Sequence, residues 1–185
     1  MNMNLNELRD RAYKTACEHG WHEEEYSNEH FLCLVISELM EAVESDRKRM
    51  HAFRTPFEDF ICRFTTDPEH AYKVAFDEYI KDSVEDELAD AVIRLLDLAG
   101  LRGIDMNDRF IIAYIVSSKK TFTENIYAIL KDMVNYRYSF EECLNYSIRQ
   151  IIELARMKGI DLAWFIEQKM RYNELRSFRH GNKKY

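Results

Sequence analysis

The chain has 185 residues, of which 46% are hydrophobic and 32% charged, and a net charge of −7. That length and balance specify one globular domain, or two small helical lobes, and exclude a disordered chain. With no long basic run before the final residues, a nucleic-acid partner is not expected; nor is a membrane, since no run approaches the about 18 apolar residues of a span.

Leu5, Leu8, Ala12 and Ala16 recur at three- and four-residue spacing, which predicts a first amphipathic helix over 5–19, stopped at Gly20. The turn GWHEEEYSNEH follows, where Ser27 or Asn28 suits the cap of a second helix over 29–48. The apolar arc of that helix holds Phe31, Leu32, Val35, Ile36, Leu39 and Val43, and Glu38 and Glu41 sit at its edge rather than opposite it. Residues 49–67 are expected to be irregular, with Phe53, Phe57, Phe60 and Phe64 as local core. Asp67-Pro68 is a helix start, with Asp as cap and Pro at the first helical position. Helix then continues from 68 to 101 with a break near 81–84, and Gly100 and Gly103 end it.

Two acidic motifs carry the chemistry: Glu38-Leu39-Met40-Glu41 and Glu87-Leu88-Ala89-Asp90. Each pair is spaced i, i+3 in an apolar helical pattern, so its carboxylates share a helix face. Two such helices face to face would gather four anionic donors, a cluster that desolvates badly unless a hard cation neutralises it. Oxygen-only donors suit Mg²⁺, with Mn²⁺ as a substitute, better than Zn²⁺. The pattern points to a metal site for a phosphate substrate. Asp86 and Asp97 read as surface charge, and Arg94 as a partner for one of the carboxylates.

The second half reads as a degenerate copy of the first. AVIRLLDLAGLRGIDM (91–106) aligns without gaps to SIRQIIELARMKGIDL (147–162). In that register Cys143 and Tyr146 replace Glu87 and Asp90, and the helix over 124–136 offers Ile129 and Asp132 in place of Glu38 and Glu41. The competing reading is that GID after an apolar helix is a good helix stop used twice. The expected fold class is therefore all-α, a helical bundle with a degenerate internal repeat. Residues 1–106 form the catalytic half and 107–185 the degenerate half plus a basic tail, packed as one unit. In that tail Lys169, Asn173 and Arg176 fall on one helix face, and His180, Lys183 and Lys184 follow.

The four cysteines (Cys17, Cys33, Cys62 and Cys143) form no CxxC pair and read as reduced core residues of a cytoplasmic protein. The charged N-terminal stretch MNMNLNELRDRAYK lacks the apolar segment of a signal peptide.

These motifs, in this order, resemble the MazG-like, all-α nucleoside triphosphate pyrophosphohydrolases. GWHEEEYSNEHFLCLVISELMEAVESDR is similar to the first two helices of that family, ELADAVIRLLDLAGLRGIDM to the third, and KMRYNELRSFRHGNKKY to its C-terminal ending. The departures are a long insertion between the acidic motifs and an extra helical segment before the tail. The resemblance implies Mg²⁺-dependent hydrolysis of the α–β phosphate bond of a nucleoside triphosphate, a deoxynucleotide or a modified nucleotide among them. Glu38, Glu41, Glu87 and Asp90 would hold one or two ions and carry catalysis, with Glu41 one choice of general base. Lys169, Asn173 and Arg176, with Tyr172 and His180, would contact phosphates, and Trp21 and His22 would stack on a base or close the site. It also implies a homodimer or higher oligomer, an interface that an internal repeat either replaces or builds on. The alternative is a non-catalytic nucleotide-binding or regulatory protein of the same fold; a plain helical interaction module is a third class. A di-iron bundle needs Glu-x-x-His pairs, which the chain lacks.

Overall fold

The computed structural model describes residues 3–63, 66–106, 114–135, 137 and 139–179, and among them all regular structure is helical. The helices are α1 (Leu5–Glu18), α2 (Asn28–Lys48), α3 (Arg54–Arg63), α4 (Pro68–Tyr79), α5 (Val84–Leu101), α6 (Phe122–Val134), α7 (Phe140–Met157) and α8 (Leu162–Glu174). Phe64, His180, Lys183 and Lys184 lie outside the described residues.

Polar caps decide where most helices begin. Ser27, Ser83, Thr121 and Ser139 each accept the backbone N–H three residues on, which satisfies an orphan donor and contributes about 1 kcal/mol apiece. Asp67 does the same for α4, with Pro68 in the first turn.

Helix α5 runs through the middle and packs against α1, α2, α7 and α8. Its Leu88, Leu95, Leu96 and Leu98 are wholly buried, each contributing roughly 2 kcal/mol by removing apolar surface from water. α2 packs on α5 and α6, and α7 on α5 and α6, so these four form a helical bundle. α1 and α8 cover α5 elsewhere, and α3 and α4 form a separate hairpin that reaches α8.

α5 and α7 share both ends. Each is 18 residues long, starts at a Ser cap (Ser83, Ser139) and stops before a left-handed glycine, Gly103 at φ 63° and Gly159 at φ 73°. The N–H of Ile104 bonds the Ala99 carbonyl at 2.8 Å, and that of Ile160 bonds Ala155 at 2.9 Å, so the same glycine-terminated stop closes both helices.

Three expectations need correction. The stretch over 49–67 is not irregular: α3 forms there, with Pro56 tolerated in the first turn, an Arg54–Glu58 bridge along the helix and Phe57 buried edge-on against Tyr72 and Trp164. Phe53 is not core but exposed, whereas Phe60 packs partly against the core. Of the cysteines only Cys143 is buried; Cys17, Cys33 and Cys62 are exposed, because each falls on the outer face of its amphipathic helix. No helix of the described residues is long and apolar enough to cross a membrane.

Candidate functional site

On α5, Glu87, Asp90, Arg94 and Asp97 succeed one another at i, i+3, i+7 and i+10, which places them along one helix face. That face lines a cavity of about 240 Å³ whose other walls come from α1, α2, α8 and the turn after α1.

At one end the two acidic motifs meet. Oxygens of Glu38, Glu41 and Glu87 lie within 4.8 Å of one another, two of the residues from α2 and one from α5. Glu38 and Glu87 are buried, whereas Glu41 is exposed and accepts the Ser37 hydroxyl at 3.3 Å. Burial pushes the Glu87 carboxyl up to about 9, reinforced by the charges of Asp86, Asp90 and Glu38 and opposed by Lys169. Glu38 is also raised, first by burial and then by Asp90 and Glu41, although Arg94 Nε donates to it at 2.5 Å. Like charges held this close favour a bound cation or a bound proton, and an all-oxygen donor set suits a hard divalent ion.

Asp90, the fourth motif carboxylate, faces Lys169. The ammonium lies 3.2 Å from Asp90 Oδ2 and 2.9 Å from Asp86 Oδ1, deep in the structure. Burial alone would raise Asp90, but the charges of Lys169 and Arg94 outweigh it and hold the carboxyl below its usual range. Burial likewise lifts Asp86 to about 6 against the pull of Lys169. Lys169 therefore does not lie on an open cationic stripe; it closes α8 onto α5 as a counter-ion.

Asp86 and Asp97, read from sequence as surface charge, are withdrawn from the surface: Asp86 is buried, and Asp97 is half-buried in the cavity wall. Asp82, Asp86 and Glu87 form a second acidic group within 4.8 Å, sharing Glu87 with the first. Asp82 stands in a left-handed turn at φ 59°, which Asp tolerates better than most residues, and its N–H donates to Asp86 Oδ2. The sequence signal for Asp86 is slight: it adjoins Glu87 in the first turn of α5, where acidic residues are common for dipole reasons alone.

At the other end the cavity is aromatic. Trp21, Tyr26, His30 and Phe31 line it, with Tyr26 and His30 stacked at 4.2 Å. Asp97 reaches the same end, its Oδ1 accepting a hydrogen bond from His22 Nε2 at 2.7 Å. Because the partner is a carboxylate, Nε2 is the protonated nitrogen of His22. Burial raises Asp97, and the His22 bond opposes the rise.

The end of α8 and the residues after it form the remaining wall. Asn173 and Arg176 line the cavity, and Asn173 Oδ1 is buried with no hydrogen-bond partner. Tyr172 lines it too, but its hydroxyl donates to Asp77 at 2.7 Å and its ring stacks on Phe76, so the hydroxyl is already engaged. His19 joins the Thr15 carbonyl (2.7 Å) to that of Arg176 (2.8 Å), and Arg179 bridges to Glu23. Gly20, at φ 77°, has no room for a Cβ because the Phe178 ring lies against it.

Of the site residues read from sequence, Trp21, Glu38, Glu41, Glu87, Asp90, Lys169, Tyr172, Asn173 and Arg176 all line this one cavity, and His180 is outside the described residues. Comparison with models of known protein families, with curated proteins and with solved structures gave no match to this chain.

Proposed function

We propose that the chain is a Mg²⁺-dependent nucleoside triphosphate pyrophosphohydrolase of the MazG-like all-α type, cleaving the α–β phosphate bond to release a nucleoside monophosphate and pyrophosphate. The observation that carries this reading is the meeting of Glu38, Glu41 and Glu87 from two helices, at one end of a cavity whose opposite end is aromatic. A nucleotide needs both: a cation-loaded acidic end for phosphates and flat apolar faces for a base. The shared ends of α5 and α7 support an internal duplication in which the second copy has lost its carboxylates.

Glu38, Glu41, Glu87 and Asp90 would hold the ion. When bound, Mg²⁺ supplies neutralisation of phosphate charge and acidification of a coordinated water. The chain's own residues do the rest. Glu41 keeps solvent access and would accept the proton of the attacking water. Arg176 adds positive charge on the phosphate side, and Asn173 offers an unpaired amide oxygen to the sugar or base.

One observation favours a second reading. Lys169 and Arg94 already neutralise Asp90 and Glu38, as in a nucleotide-binding protein that works without metal. Pyrophosphate release from NTPs and dNTPs, with Mg²⁺ and with EDTA, separates the two. Metal-dependent release that Glu87→Gln abolishes establishes the enzyme; nucleotide binding with no turnover establishes the alternative.

A further inference from the structure

We propose that Asp97, oriented by His22, reads the base of the substrate and selects nucleotides that carry an exocyclic amino group, cytosine above all, over uracil and thymine. This inference deepens the proposed function and rests on it for the direction in which the nucleotide lies.

The argument begins with position. Asp97 is ten residues beyond Glu87 on the same face of α5, which at the rise of an α-helix is about 15 Å along the cavity. A triphosphate gripped at Glu87 carries its 3′-hydroxyl one sugar away from the α-phosphate. Only the base extends further along the helix. Asp97 shares its end of the cavity with Trp21, Tyr26, His30 and Phe31, the faces on which a base would stack.

Chemistry then sets the preference. Oδ1 of Asp97 is engaged by His22, whereas Oδ2 has no hydrogen-bond partner among the described residues. Asp97 is half-buried, with its side chain 17% exposed, and an ionised carboxylate oxygen is an acceptor only. It matches the amino group of cytosine, the pairing that carboxylates make with that base elsewhere. In uracil the equivalent atom is a carbonyl oxygen, whose lone pairs would face those of Asp97. Leaving a buried polar group unpaired is what lets such sites reject an analogue strongly.

His22 keeps the carboxylate in place. Its side chain is 7% exposed and its ring packs between Tyr13 and Phe31. Asp97 cannot turn without breaking a buried bond.

The test is kcat/KM for dCTP, dUTP and 2′,3′-dideoxy-CTP with the wild type and Asp97→Asn. Asn is nearly isosteric, and its oxygen still accepts from His22, but the group it then offers the base is an amide N–H₂. The expected result is a wild-type preference for dCTP over dUTP of at least about tenfold, lost or inverted in the variant. A folded variant with the wild-type ratio overturns the proposal. So does a result in which the variant erases discrimination against the dideoxy substrate while the base ratio stays, because Asp97 would then read the sugar. If Asp97→Asn fails to fold, His22→Leu, which removes the donor to Asp97, is measured instead, and an unchanged ratio in that folded variant is equally fatal. If no triphosphate is hydrolysed, the proposed function fails by itself, and calorimetric binding of dCMP and dUMP still decides the inference. Tighter dCMP binding, lost in Asp97→Asn, supports it; equal affinities in the wild type overturn it.

Discussion

The ammonium of Lys169 on α8 stands 3.2 Å from Asp90 Oδ2 and 2.9 Å from Asp86 Oδ1 on α5, with Lys169 and Asp86 buried and Asp90 half-buried. This triad ties the C-terminal helix to the acidic face of the central one. Removing one member of a buried charge group leaves the others uncompensated, which costs about 3–5 kcal/mol. Lys169→Met should therefore unfold at markedly lower urea concentration than the wild type in EDTA. Mg²⁺ should recover more stability in the variant than in the wild type, because the ion replaces the missing charge. Equal urea midpoints in EDTA would show that the triad contributes nothing.

Glu87 sets a pH dependence of the metal-free protein. Its carboxyl rises from 4.5 to about 9 on folding, so the folded state binds a proton that the unfolded state releases between those values. A group raised in this way costs stability progressively as pH increases from about 4.5 to about 9. Glu87→Gln removes that slope. Denaturant midpoints of both proteins at the two ends of this window, without metal, should converge at the acidic end and separate at the basic end, with the variant the more stable. Mg²⁺ competes with the same proton, so its affinity for the wild type should increase over this range.

Activity should respond to the acidic end of the cavity and not to the second half. Glu38→Gln removes one of three crowded carboxylates, so it should stay folded while kcat falls by about 100-fold or more; Asp90→Asn should lose activity to the same extent but also lose stability, because it leaves Lys169 short of a counter-ion. Asp132→Asn, on the exposed face of α6, should leave the rate within about twofold, the scatter expected of a surface change. A large loss in that variant would mean that the second half supplies a ligand.

The core offers a control that touches no polar group. Leu95 is wholly buried on α5, on the side away from the cavity lining. Leu95→Ala should cost about 2–5 kcal/mol in urea unfolding, from lost transfer energy and the void left behind. Where it still folds, its substrate preference should match the wild type.

Much of the local structure was legible in the chain. Apolar spacing and capping residues are short-range signals, so α1, α2, the start of α4 at Asp67-Pro68 and the break before α5 follow from neighbours within one or two turns. α3 was missed for the complementary reason. It has only ten residues and carries Pro56, too little to hold a helix by itself, and what holds it is Phe57 against Tyr72 and Trp164, which are remote in sequence.

The acidic motifs were visible because a carboxylate pair at i, i+3 in an apolar pattern is a local statement, and Arg94 as a carboxylate partner came from the same face logic. Burial of Asp86 and Asp97 was not visible. Both look like ordinary helix charges until α8 brings Lys169 across to one and the turn after α1 brings His22 across to the other, over separations that no helical period spans. The sequence by itself determined the helices, their caps and the two acidic faces, because those depend on residues a turn apart. Only the tertiary structure decided which charges are buried, which are paired and which oxygen is left for a ligand, because desolvation depends on what packs above a residue rather than beside it.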